Sequence, residues 1–234
     1  MIVVGFDTAT VDTVACSWRD GEVLHESQLG PSSQGRPLHA TRLLQEVERA
    51  ATAAGGWGEV DLIAVGVGPG TFTGLRVGIS TARGLALSLG LPARGVCTLD
   101  ALAAGIGESG AEGERLAVLD GWRGEVFAAL YSEAGERIWE PAVQRPEDLA
   151  ERVGELDRPP VLAGSGAVRF RQELARDGVR IADDSNPVHR VAGRHVCALA
   201  AAAAGEDPEG LAPIYLRPPD AERWRERDAS QRDG

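Results

Sequence analysis

The chain contains no lysine; all 24 of its Lys+Arg residues are arginine. That removes the phosphate-binding lysine of a P-loop or a kinase, and with it Schiff-base chemistry and serine–lysine dyads. Histidine is limited to four residues and cysteine to three. Cys16, Cys97 and Cys197 are odd in number, widely separated and without a CxxC pair. They are expected to be buried reduced thiols in a cytosolic protein, neither a disulfide framework nor a zinc site. Long apolar runs are missing too. Ala198 to Ala204 is too short to span a bilayer and reads as a helix. The opening Met-Ile-Val-Val-Gly-Phe-Asp has no basic stretch before its first charge, so it is not expected to be a signal peptide. Positive charge is also in deficit, and the net charge of −11 repels phosphate backbones and anionic membranes. Autonomous tRNA binding and membrane attachment are therefore not expected, although an acidic chain can join an RNA-handling complex through a basic partner.

What is present describes an ordinary globule. Its 234 residues, 43% hydrophobic and 25% charged, suffice for one large domain or two small lobes. Residues Gly66 to Gly90, "GVGPGTFTGLRVGISTARGLALSLG", follow an apolar run and have the strand–glycine turn–helix layout of a phosphate cradle. The motif templates fail on it. Gly74 is followed by Leu75 where a P-loop needs lysine. Gly68 and Gly70 are followed by Thr73 where a dinucleotide fingerprint needs its third glycine, and no acid lies between Thr71 and Leu99 to hold a ribose. Phe72 stands where a nucleophile elbow needs serine. The stretch reads as a tight turn with close helix packing, or as an element aimed at a partner.

The chain also repeats itself. Ile2 to Asp7 is a strand ending in a carboxylate, followed by Thr13 to Trp18, an Asp20-Gly21 hairpin turn and a third strand. Arg115 to Asp120, Glu125 to Tyr131 and Glu136 to Trp139 repeat that opening, with Asp7 to Trp18 and Asp120 to Tyr131 equally spaced. Helices at Pro37–Ala54, Leu75–Leu89 and from Thr98 match helices at Pro146–Leu156, Ala167–Ala175 and Pro187–Ala204. Strands at Leu62–Val67 and Ala93–Val96 likewise match strands at Val161–Ala163 and Val179–Ala182. Each half reads βββαβαβα, an α/β class with mixed sheets and helices on their faces. The expected organisation is an N-terminal lobe, 1–105, and a C-terminal lobe, 106–186. Part of 187–217 can rejoin the first lobe, and the polar tail 218–234 is expected to be partly disordered.

Two such tandem lobes resemble the actin, Hsp70 and sugar-kinase superfamily, with its ribonuclease-H-like sheets. The segments "GPGTFTGLRVG", "LDGWRGEVFAALY" and "APIYLRPPDAE" together are similar to the TsaB family over nearly the whole chain. The resemblance implies a non-catalytic subunit that dimerises with TsaD and self-associates when alone. With TsaE, it would support transfer of threonylcarbamoyl to N6 of the adenosine next to the anticodon. It implies no cofactor of its own, with ATP or ADP held at the level of the complex with TsaE. A metallopeptidase and a small-molecule kinase of the same superfamily are the alternatives. The first needs a metal pair. His39 has Leu43 at i+4, and His189 and His195 are wrongly spaced to share a helix face, so no ligand pair is expected.

Candidate residues follow. Asp7, Thr8 and Thr10 make a degenerate nucleotide loop after the first strand, keeping the acid but lacking a glycine. In the second half Trp122 would crowd the matching position beside Asp120. For a partner interface the candidates are Leu43, Val47, Gly74, Val77, Gly78, Thr81 and Leu85, on two helices with apolar stripes and small residues. Trp224 in the tail is a possible anchor. No catalytic or metal residue is expected.

Overall fold

A computed structural model describes residues 1–175, 178–203, 205 and 207–217. The sequence opens with β1 (Ile2–Asp7), β2 (Thr13–Arg19) and β3 (Glu22–Leu29). Asp20 and Gly21 both take left-handed backbone at the β2–β3 turn, the geometry that suits the twist of a tight hairpin. Then come α1 (His39–Ala53), β4 (Leu62–Gly68), α2 (Phe72–Leu89), β5 (Ala93–Cys97) and α3 (Thr98–Glu108). The first sheet has the order β3-β2-β1-β4-β5, with β1 antiparallel to β2 and parallel to β4.

The second half repeats this with β6 (Arg115–Asp120), β7 (Val126–Tyr131), β8 (Arg137–Gln144), α4 (Pro146–Gly154) and β9 (Val161–Ala163). It continues through α5 (Ser165–Arg169), α6 (Arg171–Leu174), β10 (Arg180–Ile181) and α7 (Gly193–Ala201). Its sheet order, β10-β9-β6-β7-β8, mirrors the first. The fold is thus α/β with two tandem lobes.

Strand alternation builds three cores. Ile2, Val4 and Phe6 of β1 and Ile63 and Val65 of β4 point one way, under α1 and α2. Val3, Leu62 and Ala64 point the other way, to Val196, Cys197 and Ala200 of α7. Leu116 and Val118 of β6 pack with Leu149 and Val153 of α4, while Ala117 and Leu119 face inward. Leu99 and Leu102 of α3, with Phe127 and Tyr131, join that inward face to the core beneath α7, so one central core is shared by both sheets. Polar ties reinforce the junction. Arg190 Nε reaches Asp12 Oδ2 at 2.7 Å, and Arg194 bridges Glu26 and Glu108. The Gly164 N–H donates to His189 Nδ1 at 3.2 Å, and Arg217 pairs with Glu125.

Two helices differ from expectation. Ala167–Ala175 is split into α5 and α6 at Phe170, whose φ of −110° and ψ of 33° leave the helical region. Pro187–Ala204 is a 3-10 turn, Pro187–His189, capped by the Asn186 side chain, followed by the shorter α7. His189 and Arg190 are held by neighbouring elements in the gap, and those tertiary bonds override helical propensity. Ala204 and the tail 218–234, Trp224 included, lie outside the described residues.

Candidate functional site

Asp7 ends β1 and is 1% exposed. Its Oδ1 accepts from the Ala9 N–H at 2.7 Å, and its Oδ2 from the Thr98 hydroxyl at 2.9 Å. Thr98 in turn accepts from the Gly68 N–H at 3.2 Å. Burial pushes the Asp7 carboxyl up from 3.8 to about 6, against the opposing pull of the Ala9 and Thr98 hydrogen bonds. A side chain at Gly66 would overlap that carboxylate, so β4 closes over it.

The glycines of the following helix have the same purpose. A Cβ at Gly74 would overlap the carbonyl oxygen of Thr8, one at Gly78 the Thr8 hydroxyl, and one at Gly70 the carbonyl of Ala9. Without side chains there, α2 descends onto the β1–β2 turn, and Thr8 Oγ1 donates to the Gly74 carbonyl at 2.7 Å. Thr8 has no exposed surface. The backbone of α2 and β4 thus packs directly on Thr8 and Asp7. Asp7 and Thr8 are both enclosed by the protein itself.

Thr10 is half-buried and remains at the surface of the cleft between the lobes. Its hydroxyl accepts from the Asp12 N–H at 3.2 Å. Its carbonyl can only accept, so His39 Nε2, 3.1 Å away, carries the proton, and Nδ1 accepts from the Thr13 hydroxyl at 2.9 Å. Burial pushes the His39 pKa down, consistent with this neutral ring. His39 is a staple for the loop.

The cleft itself is a cavity of about 120 Å³ lined by Ala9, Thr10, Val11, Gly70, Trp122 and Ser165 among others. Ligand pockets run roughly from 300 to 1,000 Å³, so this cavity is smaller than most. Trp122, Arg123 and Gly124 are consecutively left-handed, a costly backbone for the first two that turns the indole to the cleft. Asp120 is not free for a metal ion: its Oδ1 accepts from the Trp122 N–H at 2.9 Å, and its Oδ2 pairs with Arg169 at 2.6 Å. Among the described residues, no three His, Cys, Asp or Glu side chains converge as a metal site. No described helix is long and apolar enough to cross a membrane.

The partner-interface candidates separate by face. Leu43 and Val47 are buried in the core beneath α1, and Gly74 and Gly78 face the Thr8 turn. These four are thereby corrected from surface to interior. Val77 and Leu85 are half-buried against the same core, and Thr81 lies between them on that flank of α2. The most open apolar side chains of the two helices are instead Leu44, 63% exposed, and Leu87, 58% exposed, followed by Phe72 and Leu89.

Comparison with known proteins agrees with this architecture. Residues 33–205 match the family model described as TsaD, tRNA N6-adenosine threonylcarbamoyltransferase. The Escherichia coli tRNA threonylcarbamoyladenosine biosynthesis protein TsaB is 32% identical, over 93% of this chain and 95% of that one. The chain belongs to the TsaB family. YeaZ from Pseudomonas aeruginosa superposes with a TM-score of 0.74 at 30% identity, covering 92% of this chain and 99% of the other. A ROK hexokinase from Thermus thermophilus, at TM-score 0.51 and 16% identity over 86% and 99% of the two chains, shares the fold alone.

Within this TsaB-family chain, sequence reasoning missed Thr98, the hydroxyl that reaches Asp7, because ninety residues of chain separate them. It also missed Leu87 as a surface residue. The i, i+4 lines drawn through α1 and α2 pick out the faces toward their own sheet. The outward residues are those left over, and Leu44 sits beside the chosen line.

Proposed function

We propose that the chain takes part in threonylcarbamoyladenosine biosynthesis in the cytoplasm as a non-catalytic subunit. It pairs with TsaD and, with TsaE, supports transfer of threonylcarbamoyl to N6 of the adenosine beside the anticodon. Nucleotide then belongs to the complex with TsaE, and the free chain self-associates through the surface that TsaD uses. The observation that carries this reading is the filled first loop. Asp7 and Thr8 have essentially no surface, the first packed beneath Gly66 and the second beneath Gly74 and Gly78. A superfamily fold whose phosphate turn is packed with its own backbone is suited to holding a partner rather than turning over ATP. Reconstitution tests it: modification of tRNA should need this chain together with TsaD and TsaE. Steady ATP hydrolysis by the chain alone, surviving repurification, would overturn it.

The pairing surface has its own test. Leu44→Asp places a carboxylate on an exposed position of α1, so the unfolding midpoint should stay within about 1–2 °C. Binding to TsaD should fall roughly a hundredfold, because the contact would bury an unpaired charge. Val77→Asp should lower both, since Val77 packs on the core. Undiminished TsaD binding by Leu44→Asp would move the interface elsewhere.

A further inference from the structure

Phe72 opens α2 with 46% of its surface exposed, and Tyr215, in the segment that crosses the end of β4, is 44% exposed. Their rings stack with centroids 5.7 Å apart and planes inclined by 29°. Arg76, one helical turn on, lays its guanidinium over the Phe72 ring, 3.8 Å from the centroid. Apolar side chains scattered singly on a surface need no explanation. Here two aromatics and a cation are ordered against one another in the open.

Among the described residues Arg76, like Arg152 over the Trp139 ring, rests on an aromatic without a carboxylate partner, and only at Arg76 is that ring itself stacked on a second one. In a chain of net charge −11, Arg137, Arg169, Arg190 and Arg194 each hold a carboxylate. Among the described residues no carboxylate pairs with Arg76, and α2 contains no Asp or Glu at all. A guanidinium held over a ring is weakly hydrated and already restricted, with its planar N–H fork matched to a carboxylate. Ordering that side chain before binding lowers the entropy lost on contact.

We infer that the Arg76–Phe72–Tyr215 stack receives a carboxylate-bearing segment of a protein partner. The guanidinium edge takes the carboxylate, and the exposed aromatic surface is covered by the apolar residues beside it. This rests on the pairing with TsaD proposed above, and assigns that partner an acidic contact at the first turn of α2. A nucleic acid is the poorer occupant, because one cation on an acidic chain lacks the many phosphate contacts that supply such affinity.

Calorimetric titration of the full chain with TsaD, at low and high salt, tests the inference. Arg76→Glu should weaken binding about tenfold or more at low salt, and less at high salt. Arg76→Lys should recover only part of the loss, since an ammonium lacks the planar fork. The unfolding midpoint of each variant should match the unmodified chain. Arg76→Glu affinity within twofold of the unmodified chain overturns the inference. So does a variant that keeps TsaD affinity but loses tRNA from the assembled complex, which would assign the stack to nucleic acid. Loss of self-association alone would assign it to a second copy and overturn it as well. If the unmodified chain fails to bind TsaD while Leu44→Asp behaves identically, the pairing reading itself falls, and this inference with it.

Discussion

Gly74→Ala should lower the unfolding midpoint by roughly 5–10 °C, whereas Gly84→Ala in the same helix should raise it slightly. Helix propensity alone favours alanine at both positions by about 0.5–1 kcal/mol. The surroundings reverse the sign at one of them. A Cβ at Gly74 meets the Thr8 carbonyl, a backbone atom that no rotamer change can move aside, while nothing lies within 4 Å of a Cβ at Gly84. Overpacking of this kind costs about 1–3 kcal/mol and sometimes more. For a chain of this size each kcal/mol shifts the midpoint by roughly 2–4 °C. Thermal unfolding of the two variants side by side gives the answer. Equal stabilisation of both would mean that α2 does not sit down on the β1–β2 turn.

Asp7→Asn should stabilise the protein at neutral pH and not at acid pH. The Asp7 carboxyl is raised from 3.8 to about 6 when folded, chiefly by burial, so the folded state holds its proton more tightly than the unfolded chain does. The stability that comes from this proton is fully present below about pH 4 and is lost as pH rises toward 6. Above that, the buried carboxylate destabilises the fold by up to about 3 kcal/mol. The asparagine oxygen keeps the Ala9 N–H bond, but its amide cannot accept from Thr98, so part of the gain is forfeited. Urea midpoints at pH 4.5 and 7.5 should show the variant's advantage growing with pH, toward roughly 1–3 kcal/mol. A difference independent of pH would mean that Asp7 titrates as an ordinary surface acid.

Much of this was legible in the residues. The matching strands that end at Asp7 and Asp120, and the Asp20-Gly21 turn, are local patterns, and local patterns survive folding. The glycine stretch was readable as close packing, since small residues follow a strand in a tight turn and recur at Gly74 and Gly78 of the helix. What it packs against was not, because Thr8 reaches Gly74 only through tertiary structure. The same limit applies to α1. Leu43 and Val47 are spaced to share a face, and spacing cannot say whether that face meets the protein's own sheet or another protein. The break at Phe170 and the short turn at Pro187–His189 depend on neighbours from other elements, which no window of sequence contains.

The position of α7 has a consequence for how the molecule is made. Val3 and Cys16 are covered by Val196 and Cys197, and 181 positions separate the two cysteines, so the cover is synthesised long after the strands it covers. The first sheet can pair its strands early, but one of its two apolar faces stays bare until α7 has been made. Domains generally fold as units during synthesis, the N-terminal one first. Here the first lobe is an unfinished surface until α7 arrives, a natural client for a chaperone that shields apolar patches. Stalled chains of increasing length should stay protease-sensitive in this half until α7 has cleared the exit tunnel. Protection arising soon after β5 emerges would show that the first sheet is stable without its late-made lid.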